Sequence, residues 1–196
     1  MKINKYQNGG SLEKAPPKGY KYNEAGNLVP IDFNEFHEEG GIDMGDLMRG
    51  VSEVESAGGI LMINPYSSAT GQYGQLYNEI KDLPFMQGVS RKDFSADKDL
   101  QNKVFQMRVE GNLPNIPSLE QNAYDLTDEY ASQLGDKWNF TLDEVAAISN
   151  YIGRQGARQY FAAIRDGVKY MPKGLNKPVE EYLNIYREGR DEGYEE

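Results

Sequence analysis

From residue 41 onward, apolar side chains recur every three or four positions in one segment after another, and capping residues, glycines and prolines mark where the segments end. Ser118 and Gln121 form a capping-box pair, and Thr141 and Glu144 form a second one. The first pair opens a segment whose apolar face is Leu119, Ala123, Leu126, Tyr130 and Leu134. No stretch has the strict alternation of an amphipathic strand. The sequence therefore predicts a mainly α domain.

Helices are also predicted on both sides of these two segments. The first runs from a cap near Asp43 to a stop at Gly58, which places Glu55 in its last turn. Three more cover residues 75–81, 98–110 and 157–166, and the last opens at Pro178 as its first residue. The further side chains expected to face inward are Ile42, Leu47, Val51, Val54, Leu100, Val104, Phe105, Met107, Tyr160, Phe161 and Ile164.

The two ends of the chain differ in composition from this helical part. Residues 1–40 are rich in glycine, proline, asparagine, lysine and glutamate, and they show little apolar periodicity. Such a segment buries too little apolar surface to offset its ordering entropy, so we expect a flexible or partner-ordered arm there. A helical domain of about 150 residues is predicted over residues 41–187, followed by an acidic tail over residues 188–196.

Composition excludes several classes of site. The 196 residues include no cysteine, which excludes disulfides and thiolate metal centres. The single histidine, His37, lies in the acidic part of the arm, and a zinc site or a Ser-His-Asp triad would have to use it. No metal or other cofactor is therefore expected. A net charge of −10 argues against nucleic-acid binding through phosphate neutralisation.

Two further patterns bear on location. No apolar run approaches the length of about 18 residues that a transmembrane helix needs, so no membrane span is predicted. The opening residues lack the apolar centre of a secretory signal peptide. We therefore expect that a substrate outside the cytoplasm would require delivery of this chain by other means.

Glu55 is the strongest candidate for a chemical role. It stands just before a Gly-Gly stop, and the sequence NPYSSATGQYGQL follows shortly after. A glutamate on an amphipathic helix is by default a solvated surface residue. A helix end that faces a loop rich in glycine, serine and tyrosine, however, offers a cleft in which desolvation would raise the pKa of the carboxyl group. A carboxylic acid that is protonated near neutral pH is what cleavage of a glycosidic bond requires.

Two sequence blocks resemble the lytic transglycosylase and goose-type lysozyme superfamily. The first is ESAG followed by NPYSSATGQYGQL, which is similar to the family's Glu-Ser-x-Gly, Asn-Pro and Ser-x-x-Gly-x-x-Gly. The second is AISNYIGRQGARQYF, which is similar to Ala-x-Tyr-Asn-x-Gly-x-Gly and to the His-Phe-Leu-Gly-x-x-Gly-Ala variant of phage virion enzymes. The blocks occur in the family's order over roughly residues 42–165. The resemblance implies a lysozyme-like helical domain of the soluble lytic transglycosylase type.

The resemblance also implies roles for individual residues. Glu55 matches the catalytic acid, and Ser56 matches the serine that helps to shape the sugar-binding subsite. The residues matched to substrate contacts are Ser68, Tyr73, Gln75, Asn150 and Tyr151. The chain departs from the family pattern in three ways. GILMI inserts about five residues before Asn-Pro, the Tyr-Asn order is reversed, and the matching glutamine is either Gln72 or Gln75.

In this family a single glutamate protonates the oxygen between N-acetylmuramic acid and N-acetylglucosamine, and a 1,6-anhydro ring then closes without water. The residues are compatible with this chemistry, because Glu53 lies on a different helix face from Glu55 and no second acid has an obvious place. A hydrolytic lysozyme would need a second carboxylate or a held water, and Asp82 and Asp93 are the nearest downstream candidates.

The phage-like form of both blocks implies an enzyme carried in a phage virion. Its partners would be the glycan strands of peptidoglycan in the host envelope and, through residues 1–40, a phage structural protein. Two non-enzymatic alternatives remain. One is a phage structural or packaged protein that keeps a lysozyme-like fold, and the other is a helical interaction module.

Overall fold

A computed structural model describes residues 20–22, 28–30, 41–58, 63–64, 66–170 and 177–192. The chain forms two compact units, Met1–Gly41 and Ile42–Glu196. In the first unit the described residues are two antiparallel strands, β1 (Tyr20–Tyr22) and β2 (Leu28–Pro30). The rest of the predicted arm, including His37, lies outside the described residues.

The second unit is mainly helical, as the sequence predicts. Its helices in the described ranges are α1 (Met44–Ser56), α2 (Tyr77–Ile80), α3 (Arg91–Ala96), α4 (Lys98–Glu110), α5 (Leu119–Leu134), α6 (Leu142–Asp166) and α7 (Val179–Asp191). A small antiparallel hairpin of β3 (Ala69–Thr70) and β4 (Gln75–Leu76) lies between α1 and α2. Short 3-10 turns cover Pro84–Met86 and Gly135–Lys137. Among the described helices, none combines the length and the apolarity that crossing a bilayer would need.

Local sequence signals account for where the helices begin. The side chains of Asp43, Asp97 and Ser118 each accept a hydrogen bond from a backbone N–H in the first turn of α1, α4 and α5. Complete capping boxes open α3 at Ser90 and α6 at Thr141. These side chains satisfy backbone donors that have no partner inside the helix, and so they fix the helix starts.

The first and last helices of the second unit pack at close range because glycines face large side chains. A Cβ built on Gly50 of α1 would lie 2.5 Å from the ring of Tyr186 on α7. A Cβ built on Gly189 of α7 would overlap with the Cβ of Glu53 on α1. Any larger residue at either glycine would force the two helices apart.

The apolar side chains form two clusters. The larger one lies among α1, α4, α5, α6 and α7, and the smaller one consists of Ile80, Leu83, Met86, Phe94, Val104 and Leu113. The inward face predicted for α5 is confirmed, since all five of its apolar residues are buried. On α4, Phe105 is fully buried, whereas Met107 is only partly buried against the smaller cluster.

α6 joins two segments that the sequence predicts as separate helices. The break between them is at Gly153, where φ is 71° and ψ is 163° inside an otherwise continuous helix. This conformation is essentially restricted to glycine. Asn150 and Tyr151 lie immediately before the break, at the point where the helix changes direction.

The strands and the last helix depart from the sequence-based prediction. The sequence predicts no strand, yet two short hairpins are present. β3 and β4 have two residues each, which is too short for an alternating pattern to be visible. Pro178 is the N-cap of α7 and precedes its first turn, and α7 continues to Asp191, past the boundary predicted at residue 187.

Candidate active site

Glu55 lies in the last turn of α1 and faces the β3–β4 turn, residues 71–74. A Cβ built on Gly74 would lie 2.7 Å from Glu55 Oε2, so the carboxyl group rests directly on this glycine. Gly74 also has a φ of 60°, in the left-handed region that favours glycine. Position 74 therefore needs a residue without a side chain for two independent reasons.

The protonation of Glu55 is strongly affected by its surroundings. Burial raises the pKa of Glu55 from 4.5 to about 7. The positive charges of Arg108 and Lys177 and the hydroxyl group of Tyr182 lower the pKa, but they do so by less than burial raises it. Near neutral pH the side chain is therefore present both as the acid and as the carboxylate. A group in this condition can donate a proton and later accept one.

Two stacked tyrosines lie beside Glu55. The rings of Tyr151 on α6 and Tyr182 on α7 have centroids 4.1 Å apart and an interplanar angle of 14°. Tyr151 Oη donates a hydrogen bond to Lys177 O at 2.9 Å and accepts one from Lys177 N at 3.3 Å. Tyr182 is fully buried, and burial followed by the nearby charge of Glu55 raises its pKa well above 10. Tyr182 therefore stays a neutral hydroxyl group next to the carboxylate.

Buried polar atoms without a hydrogen-bond partner gather around Glu55. Within the described part of the chain they include Arg108 Nε, Asn150 Oδ1 and Tyr182 Oη, and both amide atoms of Gln75, the residue after Gly74, are also unpartnered. Tyr182 interacts with both Glu55 and Asn150, and Arg108 interacts with Glu55. Four other such atoms lie on α5 and α6: Asn122 Oδ1, Thr127 Oγ1, Ser149 Oγ and Arg154 Nε. Folded proteins pair most buried polar atoms, so the group around Glu55 indicates a place for water or a polar ligand.

The β3–β4 turn is held from two sides by side chains. Gln101 Oε1 accepts a hydrogen bond from Gln72 N at 2.8 Å, and Ser56 Oγ donates one to Gln72 O at 3.1 Å. Asn102 Oδ1 accepts from Gln72 Nε2 at 2.5 Å and from Tyr73 Oη at 2.6 Å. The turn is thus attached to α1 on one side and to α4 on the other.

The residues that the sequence assigns to substrate contacts do not all lie beside Glu55. Tyr73 is buried with its ring stacked on Phe105, 4.3 Å between centroids, and Ser56 is fully buried under the turn. Both therefore support the site from inside. Ser68 lies at the end of the hairpin opposite the turn, where its carbonyl oxygen accepts a hydrogen bond from Tyr77 N. The predicted residues that come together are Glu55, Asn150 and Tyr151, whereas Gln75, the residue after Gly74, is buried at 1% exposure.

The two downstream acids are engaged elsewhere. Asp82 is exposed and pairs with Lys81 at 3.1 Å. Asp93 is exposed and closes the capping box of α3, and hydrogen bonds from Ser90 lower its pKa. In the described ranges no group of three or more metal-ligating side chains could hold a metal ion.

Comparison with known proteins identifies no relative of this chain. No family model, no curated protein and no solved structure matches it.

Two residues beside Glu55 carry no recognisable signal in the sequence. Tyr182 stands four residues before Tyr186 on one helix, so the pattern marks both as ordinary core residues. Arg108 stands between Met107 and Val109 on α4, yet it interacts with Glu55 and burial lowers its pKa. A tyrosine or arginine at the edge of an apolar helix face is the only hint, and core packing produces the same pattern far more often.

Proposed function

We propose that this protein is a peptidoglycan-cleaving lytic transglycosylase with a lysozyme-like fold, in which Glu55 is the catalytic acid and base. One observation carries the proposal. Glu55 is a partly buried carboxyl group with a pKa of about 7, it rests on Gly74, and unpartnered polar groups surround it. The two sequence blocks also meet here, because Asn150 and Tyr151 belong to the second block and interact with this side of the site.

The proposed reaction uses both protonation states of Glu55. The acid donates its proton to the oxygen that bridges C1 of N-acetylmuramic acid and C4 of N-acetylglucosamine. The C1–O bond breaks, N-acetylglucosamine leaves as an alcohol, and the substrate's own acetamido oxygen stabilises the positive charge at C1. The Glu55 carboxylate then accepts the proton of the C6 hydroxyl group while O6 bonds to C1. A 1,6-anhydro ring results, the acid is regenerated and no water is consumed.

The neighbouring residues have distinct roles in this proposal. The Tyr182 hydroxyl group, Arg108 and Lys177 all favour the negative charge of Glu55 after the proton has left. Asn150 Oδ1 has no described partner and can bind a sugar hydroxyl or acetamido group, and the amide of Gln75, which is 1% exposed, has no described partner either. Gln75 is thus the better match of the two candidate glutamines, since the amide of Gln72 is bonded elsewhere.

The absence of an assisting acid favours ring closure over hydrolysis. Among the described residues, no carboxylate contributes to the pKa shift of Glu55, and Asp82 and Asp93 are both exposed. With no acid to hold a nucleophilic water, the C6 hydroxyl group of the same sugar is the better-placed nucleophile.

The form of the sequence blocks supports a place in a phage virion. On this proposal the particle brings the enzyme to peptidoglycan in the host envelope, and residues 1–40 bind a phage structural protein. Neither nucleic acid nor a metal has a part in the reaction.

The test is digestion of purified peptidoglycan followed by mass analysis of the soluble muropeptides. We expect the native chain to release fragments that end in 1,6-anhydro-N-acetylmuramic acid. Glu55→Gln should release none, and Glu53→Gln, the same exchange two residues away on α1, should stay active. Reducing ends in place of anhydro ends would indicate a hydrolytic lysozyme. If the folded native chain released no fragment from a suitable wall, the lysozyme-like fold would be a non-catalytic phage scaffold.

A further inference from the structure

Gln101 on α4 is a fully buried polar side chain that bonds to three backbone groups. Its Nε2 donates to Phe94 O at 2.8 Å and to Ser95 O at 3.1 Å, and its Oε1 accepts from Gln72 N at 2.8 Å. Two of these groups belong to the end of α3, where Phe94 O also accepts a bond from Asp97 N at 3.3 Å, and the third belongs to the β3–β4 turn. One buried amide therefore joins the end of α3 to the β3–β4 turn.

The turn lies directly against this amide. A Cβ built on Gly71 would lie 2.7 Å from Gln101 Oε1, and the φ of Gly71 is 80°. No side chain can therefore fit between the turn and Gln101. The opposite end of the same four-residue turn is Gly74, which supports the carboxyl group of Glu55.

Asn102 adds a second attachment next to the first. Its Oδ1 accepts from both Gln72 Nε2 and Tyr73 Oη, and the ring of Tyr73 stacks on Phe105 of the same helix. From α1, Ser56 Oγ donates to Gln72 O. The peptide groups next to Gly74 are thus fixed on both faces, and their position follows that of α4.

We propose that Gln101 and Asn102 are positioning residues for Glu55, because they press the β3–β4 turn against its carboxyl group and keep that group away from water. The inference rests on the proposed function for its catalytic meaning, but its structural part does not. If the turn moved away, water would reach Glu55 and the desolvation that favours the protonated acid would weaken.

The test replaces Gln101 with methionine and measures the pKa of Glu55 by NMR titration of its side-chain carboxyl carbon. We expect the pKa to fall from about 7 toward 4.5, by on the order of one unit or more. Gln106→Met is the matched control, since Gln106 is exposed on the same helix, and it should leave the pKa unchanged. Neither substitution changes the groups that face Glu55, which are Arg108 on α4, Tyr151 on α6, and Lys177 and Tyr182 at and near the start of α7.

Kinetics on peptidoglycan provide the second readout. In Gln101→Met we expect kcat to fall by about tenfold to a hundredfold while KM changes by less than about twofold. The pH optimum should move toward acid. A folded Gln101→Met variant with an unchanged Glu55 pKa would overturn the proposal.

A second pair of variants decides the matter if Gln101→Met does not fold. Asn102→Leu removes the acceptor oxygen, whereas Asn102→Asp keeps it. We expect the Glu55 pKa to fall in the leucine variant and to return toward about 7 in the aspartate variant. Equal, unshifted values in both would overturn the proposal. A shifted pKa in a chain that never cleaves peptidoglycan would sustain the positioning role and reject the proposed function.

Discussion

At the scale of single residues, the chemistry depends on what surrounds Glu55. The side chain is an ordinary glutamate, but burial against Gly74 brings its pKa to about 7. Two cations and a tyrosine hydroxyl group keep the pKa from rising further. The balance between burial and these neighbours should affect both the pH dependence of folding stability and the pH dependence of activity.

Burial of Glu55 should reduce the stability of the folded chain at alkaline pH. Its folded pKa is raised above the unfolded value of 4.5, so its stabilising proton is fully bound below about pH 4.5 and is lost as the pH rises through about 7. Glu55→Gln has no charge to desolvate. We expect the variant to match the native chain near pH 4.5 and to exceed it by about 3 kcal/mol at pH 8, as measured by urea unfolding. A difference that does not depend on pH would contradict this account.

Removal of the Tyr182 hydroxyl group should move the pH profile. The hydroxyl group lowers the pKa of Glu55, so Tyr182→Phe should raise that pKa. The alkaline limb of the kcat/KM pH profile should then move to higher pH. Folding should be little affected, because Tyr182 Oη has no complete hydrogen bond among the described residues. Tyr186→Phe is the control. This variant loses the hydrogen bond from Tyr186 Oη to Asp143 Oδ2 and about 1 kcal/mol of stability. The alkaline limb of its kcat/KM pH profile should stay at the same pH as in the native chain.

At the scale of helices and turns, the sequence determines more of the fold than of the site. The capping box at Thr141 lies where predicted, whereas at Ser118 only the serine half of the predicted box forms, because Gln121 Nε2 donates to Asp125 instead. The β3–β4 hairpin is not predictable in this way, since its two-residue strands are defined by pairing and not by pattern. The same holds for Tyr182 beside Glu55, which is a contact between residues that are distant in sequence.

The break in α6 gives a prediction at this scale. Gly153 has φ and ψ values that other residues rarely adopt, and a Cβ there would meet nothing within 4 Å. Gly153→Ala should therefore destabilise the fold through backbone strain alone, by about 1–3 kcal/mol, as measured by thermal unfolding. Gly167→Ala, at the ordinary left-handed end of the same helix, should cost no more than about 1–2 kcal/mol. An equal or smaller loss at position 153 would mean that the helix straightens without strain.

At the scale of the whole domain, a buried ion pair joins α6 to α7. Glu144 is only 3% exposed and receives both Arg187 Nε at 2.7 Å and Arg187 Nη2 at 3.0 Å. Arg190 adds a longer contact to the same carboxylate at 3.4 Å. Since Tyr182 is on α7, this network also holds one side of the candidate site in position.

Loss of Arg187 should leave the buried Glu144 carboxylate with only longer contacts, to Arg190 at 3.4 Å and to Thr141 N at 3.3 Å. We expect Arg187→Met to destabilise the domain by about 2–4 kcal/mol in urea unfolding. Arg158→Met is the matched control, because the Arg158–Glu129 pair is 38% and 37% exposed and should contribute no more than about 0.5 kcal/mol. Similar losses in the two variants would show that Glu144 relaxes toward water when Arg187 is absent.

Because α1 packs against α7, the two sides of the site are synthesised at different times. A ribosome makes Glu55 early and Tyr182 late, and at about 5–20 residues per second the interval is on the order of ten seconds. During that interval Gly50 has no Tyr186 to pack against, and the carboxyl group lacks its tyrosine neighbour. A nascent chain therefore carries an unfinished site. The proposed peptidoglycan cleavage would begin only when translation of this domain is nearly complete.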